Sequence, residues 1–337
     1  MAFAPVMNAD RLVDRYGRAI TYLRISVTDR CDLRCRYCMA EQMTFLPRNA
    51  LLSLEEIALI AERFIARGVR KIRLTGGEPL VRRDMIELAY RLGRQLGTAL
   101  DELTLTTNGT RLAEHAADLF DAGVRRINVS LDSRDPETFR YITRHGQVDR
   151  VLDGIATAAT AGLRVKINMV ALKGLNEAEI APMLAWCAGE GHDLTLIETM
   201  PLGQIEEDRA DRFLPLPAIL DSLRRQFDLV PDDRTTGGPA RYLRVAGTNT
   251  RLGLISPLTG NFCATCNRVR LSTDGKLHMC LGHEDAVDLR AAIRNGGLAA
   301  VDALLDDAMH AKPERHDFRI EAGAAPAVTR HMSVTGG

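Results

Sequence analysis

Cys31, Cys35 and Cys38 stand in the run TDRCDLRCRYCMA. Three thiolates at this Cys-x3-Cys-x2-Cys spacing can hold three irons of a 4Fe-4S cluster and leave the fourth open. A cluster that only carries electrons is normally closed by four cysteines, whereas an open coordination position marks a metal site that binds a reactant, as at catalytic zinc. Reactive cluster chemistry is therefore the first expectation. A second group, Cys263, Cys266 and Cys280, is spaced Cys-x2-Cys-x13-Cys and encloses Asn267-Arg268-Val269-Arg270 and Asp274-Gly275. Spacing alone allows a structural zinc closed by His278 or His283. The two arginines favour a second open cluster, because a structural knuckle gains nothing from positive charge at its metal and a cluster facing an anionic substrate does.

Composition narrows the class. With 337 residues, 46% hydrophobic and 26% charged, the chain can bury a sizeable core and divide into one large and one smaller domain. Seven cysteines, six of them in two tight groups, read as metal ligation in a reducing compartment and not as a disulfide framework. Cys187, the seventh, lies in the apolar helical stretch Met183 to Ala188 and reads as a buried small hydrophobe. Lys plus Arg and Asp plus Glu are both 44, which leaves no global field for nucleic acid, and aromatics are only 5%. These features argue against a zinc-containing nucleic-acid protein. The first twenty residues lack a basic segment followed by an apolar run, and no stretch has the length of a membrane span. A cytoplasmic protein with no membrane partner is expected.

The elements that must position these cysteines alternate from residue 21 to about 200 as short β-type runs and helical segments, the pattern of βα units around a parallel sheet. Six strands are expected near Leu23–Val27, Lys71–Leu74, Leu103–Thr106, Arg126–Leu131, Val165–Val170 and Leu194–Thr199. Gly68, Gly123 and Gly162 stand where helix C-termini need a left-handed residue. Ser53 with Glu56, and Asn176 with Glu179, have capping-box spacing. Within the strands one parity is polar: Arg24 and Ser26, Lys71 and Arg73, Thr104 and Thr106, Asn128 and Ser130, Lys166 and Asn168. Parallel strands usually read as continuous apolar runs. A polar face therefore implies either a solvated sheet or the lining of a cavity, and a six-stranded sheet curled into an incomplete barrel supplies the cavity for a polar, anionic ligand. Past residue 200, short strands near Tyr242–Val245 and Leu252–Ile255 begin a smaller second domain, and the reading divides the chain into 14–225 and 226–337.

The cysteine run directly after the first expected strand resembles the cluster motif of the radical S-adenosylmethionine (SAM) enzymes, and Thr75-Gly76-Gly77-Glu78-Pro79 resembles their methionine-binding turn. The resemblance implies an α/β fold, an incomplete (β/α)6 TIM-like barrel with a smaller C-terminal cluster-binding domain. It implies Cys31, Cys35 and Cys38 as ligands of one 4Fe-4S cluster, with Tyr37, Gly77, Ser130 and Met200 against SAM. The stretch GLISPLTGNFCATCNRVRLSTDGKLHMCL, together with YLRISVTDRC, KIRLTGGEPLVRRD, TTNGTRL, RRINVSLD, ETMPLG and the terminal Gly336-Gly337, resembles the GTP 3',8-cyclase family of molybdenum cofactor biosynthesis in order along nearly the whole chain.

That likeness implies a lyase converting GTP to 3',8-cyclo-7,8-dihydro-GTP. It implies a second 4Fe-4S cluster on Cys263, Cys266 and Cys280, and GTP contacts at Arg24, Lys71, Arg73, Thr106, Lys166, Arg268, Val269 and Arg270. Arg268 and Arg270 would also stabilise charge developing at the base, and no side-chain general acid or base is identifiable. The family's tail reaches into its active site. A low-potential electron donor and a homodimer go with the likeness. The alternative is a radical SAM peptide-modifying enzyme with an auxiliary cluster.

Overall fold

The computed structural model describes residues 11–233 and 238–336. Six parallel strands, β1 (Tyr22–Ser26), β2 (Lys71–Thr75), β3 (Glu102–Thr107), β4 (Arg126–Ser130), β5 (Arg164–Ala171) and β6 (Asp193–Glu198), lie side by side in chain order. Six more strands, β7 (Leu229–Asp232), β8 (Arg241–Val245), β9 (Arg251–Ile255), β10 (Arg268–Leu271), β11 (Lys276–His278) and β12 (Ala286–Asp288), complete one sheet of order β12-β11-β10-β1-β2-β3-β4-β5-β6-β9-β8-β7. The sheet is an incomplete barrel whose C-terminal strands extend both edges, β10 parallel to β1 and β9 parallel to β6. The six expected barrel strands are present within a residue or two. β7, β10, β11 and β12 were not expected, because each has only three or four residues and too little pattern to stand out.

The helices are α1 (Leu54–Ala66), α2 (Met85–Gly93), α3 (Leu112–Asp121), α4 (Pro136–Thr143), α5 (Val148–Thr160), α6 (Ile180–Glu190), α7 (Arg209–Arg212), α8 (Leu216–Arg224), α9 (Leu289–Ala311, kinked at Gly297) and α10 (Met332–Thr335). α1 starts where the Ser53 side chain accepts from the Glu56 N–H and Glu56 accepts from the Ser53 N–H. It buries Ile57, Ile60, Ala61, Phe64 and Ile65, where each large side chain contributes roughly 1.5–3 kcal/mol. It ends at Gly68, which like Gly123 and Gly162 has a φ near +90°. The second expected capping box does not form. Asn176 is buried and spends its amide on the Leu172 N–H and the Asp132 and Val170 carbonyls, while Glu179 accepts from Ser133 and Arg134. A tertiary demand for three backbone partners has overridden the local cap.

The apolar parity of the barrel strands, including Leu23, Ile72, Leu103, Ile127, Val165 and Leu194, packs into the core under the helices, and Cys187 is buried there on α6. The polar parity faces inward. Strand register then aligns Arg270, Arg24 and Arg73 on neighbouring strands, followed by Thr104. Arg268, Tyr22, Lys71 and Glu102 form another row, and Thr106, Asn128 and Lys166 a third. No helix among the described residues is long and apolar enough to cross a membrane.

Candidate active site

Two cavities back onto one another inside the barrel, with Asn168, Ile197, Met200 and Met332 lining both. The first lies at the C-terminal ends of the strands, where parallel barrels place their chemistry. Cys31, Cys35 and Cys38 line it together with Gly77, Ser130 and Met200. The loop into the cysteines is pinned by the glycine turn: the Gly77 N–H donates to the Thr28 carbonyl and Glu78 N–H to that of Arg30, and a Cβ on Gly77 would overlap the Arg30 carbonyl. Glu78 is fully buried, and burial pushes its carboxyl up to about 7 against the donors Asn108 N–H, Leu80 N–H and Thr107 hydroxyl. Tyr37 donates to Asp132 at 2.7 Å, and burial raises that carboxyl to about 6.

The thiols fit an iron-sulfur group. N–H groups already point at the first of them, the Leu33 N–H at 3.4 Å and Asn108 Nδ2 at 3.6 Å from the Cys31 sulfur. Without a metal, burial pushes the Cys35 thiol well above its ordinary range and that of Cys38 to about 12, so bare thiolates are costly here and a cation must stabilise them.

The second cavity is lined by Cys263, Cys266 and Cys280 together with Arg24, Arg73, Lys166, Arg268 and Arg270. A zinc site closed by His278 or His283 needs four donors within about 4 Å of one another. Among the described residues no three His, Cys, Asp or Glu side chains gather that tightly. His283 instead hydrogen-bonds the Arg315 carbonyl, and His278 is buried on β11.

The cations of this cavity are crowded and desolvated. Arg24 is held well below the usual guanidinium range by burial and by Arg270, and Arg270 falls to about 9 through burial and Arg268. Burial, then Arg73 and Arg126, depress Lys166, which donates to the Tyr242 hydroxyl at 2.5 Å. Like charges on adjacent strands repel, and buried charges need a counter-charge. Glu102 supplies one, pairing with Lys71 at 2.6 Å and Arg126 at 2.5 Å. Polar atoms on the wall still lack partners among the described residues: Arg73 Nε, Tyr22 Oη and Asn168 Oδ1 here, and Thr106 Oγ1 and Thr199 Oγ1 in the first cavity. Such a wall is completed by an anionic, hydrogen-bonding ligand.

The chain tail closes the site. Arg330 donates to the Leu281 and Cys280 carbonyls, α10 brings Met332 to both cavities, and the Gly336 carbonyl accepts from Arg270 Nη1 at 2.7 Å. Gly336 has φ +76° and packs so closely on Thr75 that a Cβ would overlap it. Gly337 lies outside the described residues.

This arrangement has the same shape as known proteins. Residues 25–187 match the model of the radical SAM superfamily and residues 192–318 that of Molybdenum Cofactor Synthesis C. The GTP 3',8-cyclase of Erythrobacter litoralis is 58% identical over 332 residues, covering 98% of this chain and 100% of the relative. That of Rhizobium etli is also 58% identical, covering 98% and 95%. The chain belongs to the GTP 3',8-cyclase family of radical SAM proteins.

Solved structures agree on fold. Streptococcus suis SuiB bound to S-adenosylmethionine superposes with a TM-score of 0.59 at 15% identity, covering 88% of this chain and 68% of that one. Native anSMEcpe with bound AdoMet superposes at 0.51 and 17%, covering 61% and 60%. Membership in the superfamily brings a 4Fe-4S cluster and SAM as cofactors.

Of the residues read from the sequence, Tyr37, Gly77, Thr106, Ser130 and Met200 line the first cavity, and Arg24, Arg73, Lys166, Arg268 and Arg270 the second. Lys71 stands behind the wall in its Glu102 pair. The Val269 side chain is in the hydrophobic core, which leaves only its backbone for a ligand. Sequence reasoning missed Asp132, Asn108 and Tyr242 as site residues. Asp132 and Asn108 sit within the motifs RRINVSLD and TTNGTRL, one or two residues past strand ends, and that position was the available signal. Tyr242 reaches the site from β8, near the far edge of the sheet, and no local pattern marks it.

Proposed function

We propose that this chain converts GTP to 3',8-cyclo-7,8-dihydro-GTP, with SAM and one cluster in the first cavity and GTP and a second 4Fe-4S cluster in the other. The observation that carries the reading is the row of cations Arg270, Arg24 and Arg73, with Lys166, on the wall of a cavity that ends in three cysteines, all but the half-buried Arg73 buried. When bound, the cofactors supply a 5'-deoxyadenosyl radical on one side and an open iron for the guanine on the other.

The protein's residues supply position and charge. Arg24, Arg73 and Lys166 hold the triphosphate, with Lys71 acting from the layer behind. Arg268 and Arg270 steady charge at the base, and the Gly336 carbonyl fixes the Arg270 guanidinium. Tyr37, Gly77, Ser130 and Met200 seat SAM, and Met200, Ile197 and Met332 keep water from the passage between cavities. Loss of the ribose 3' hydrogen and attack of C3' on C8 leave an aminyl radical. One electron and one proton then give a product isomeric with GTP. Residues 14–225 form the SAM-cleaving part and 226–337 the part with the second cluster, in a cytoplasmic homodimer served by a low-potential electron donor.

Anaerobic reconstitution with iron and sulfide, then SAM, reductant and each nucleoside triphosphate, tests the reading by mass spectrometry. Formation of 5'-deoxyadenosine with a GTP isomer, and none from ATP, is expected. SAM cleavage that couples to no nucleotide would move the substrate to a peptide.

A further inference from the structure

Lys312, just past the C-terminus of α9, is only 1% exposed. Its ammonium donates to the Met279 carbonyl at 2.6 Å, to the Arg268 carbonyl at 3.0 Å and to the Cys266 sulfur at 3.8 Å. None of these partners is a carboxylate. A fully buried ammonium is expensive unless an anion faces it, and of the groups that favour its charge, Cys266, Cys280 and Asp14, the Cys266 sulfur acts most strongly and is the one it reaches. The surrounding strap is built to hold it there. Arg18, paired with Asp14, donates to the carbonyls of Cys263, Pro313 and Glu314, which ties residues 313–314 to the cysteine turn. The His316 backbone N–H lies beside the Cys263 sulfur, and the Gly282 N–H beside that of Cys280. Each of the three sulfurs thus has an N–H group beside it, and at Cys266 two cations, Arg268 and Lys312, both bring a full charge.

We propose that Lys312 is the counter-charge of the second cluster, a positioning residue that stabilises its reduced state and so sets its reduction potential. The inference rests on the reading that Cys263, Cys266 and Cys280 carry that cluster. Hydrogen bonds to cluster sulfurs, net charge and solvent exposure set such potentials. A cubane on three thiolates gains a second negative charge on reduction, and an adjacent buried cation favours that state. Lys312 lines neither cavity; besides Cys266 it holds the backbone carbonyls of Arg268 and Met279, so the potential of the cluster, and not activity, reads its role.

Lys312→Met keeps the length of the stem and removes the charge and the donor. In the anaerobically reconstituted holoenzyme, iron and sulfide are counted and both clusters are titrated by EPR. At a fixed potential, the ratio of reduced to oxidised second cluster is expected to fall at least about tenfold, roughly 59 mV for one electron. The cluster on Cys31, Cys35 and Cys38 should keep its midpoint. An unchanged second midpoint at full iron content overturns the role of Lys312 alone. Unaltered protein that holds only about four irons takes down the two-cluster reading and the inference together. Should the variant fail to load, pulsed EPR of the unaltered enzyme grown with 15N-lysine decides: a weak 15N coupling to the reduced second cluster is expected, and its absence overturns the proposal.

Discussion

Glu102→Gln should weaken the fold and tighten nucleotide binding at once. Glu102 is 32% exposed on its side chain, whereas Lys71 and Arg126, its partners at 2.6 and 2.5 Å, are 10% and 9% exposed. Burial alone would raise the Glu102 carboxyl; Lys71 and Arg126 outweigh it and hold it below the usual range. Each pair is worth about 4 kcal/mol at roughly 4 Å in an effective dielectric near 20, before desolvation. Removing one partner of a buried pair typically costs about 3–5 kcal/mol because charge is left uncompensated, and the amide retains some hydrogen bonding, so about 3 kcal/mol is expected. At an unfolding entropy of about 2 cal/mol/K per residue, that lowers the Tm of a chain this long by about 4 °C.

The same change strips a negative charge from behind the cation row, since Glu102 also acts on Arg73. At about 10 Å and partial screening the gain for a bound triphosphate is ~0.5–1 kcal/mol, a two- to fivefold lower Kd. Calorimetry with GTP on the cluster-loaded protein, beside thermal unfolding, measures both. Weaker GTP binding at unchanged stability would refute the reasoning, and would mean that Glu102 works by holding Lys71 and Arg126 in place for the ligand.

Replacing Arg268 or Arg270 with Leu should abolish most cyclisation while iron content is kept; full activity in either variant would remove that residue from the base. Gly336→Ala forces a left-handed φ that costs about 1–2 kcal/mol and a clash with Thr75, so the Arg270 contact should be lost and product formation should fall roughly tenfold or more, read against an unchanged iron count. For the ligand-free, cluster-loaded protein, burial with Arg73 and Arg126 depresses Lys166. Burial would raise Tyr22, but Arg73, Arg24 and Lys71 bring it down to about 8. Between pH about 8 and 10 both groups bind fewer protons folded than unfolded, so stability should rise with pH, by roughly 2 kcal/mol from Tyr22 alone with Lys166 adding in the same direction; GTP should flatten that rise, and a fall with pH in chemical denaturation would contradict it.

The sequence by itself determined the ligand runs, the glycine turn and the barrel strands, because thiol spacing, a φ requirement and a period of two are written within a few residues of each other. It also exposed the inward face, since the polar parity of β1 to β5 survives in any register that keeps the apolar side on the core. What sits beside what was decided only in three dimensions. Strand pairing, set by contacts more than 200 residues apart, put Arg270 of β10 beside Arg24 and turned two separate basic strands into one anion-binding wall. The same folding withdrew Lys71 behind Glu102, sent Val269 into the core, took Asn176 from its expected cap and placed Lys312 at Cys266. None of these has a local signal, because the partner that defines each one arrives from a distant element, and the cost of leaving a buried polar group without it is a property of the packed interior and not of the chain.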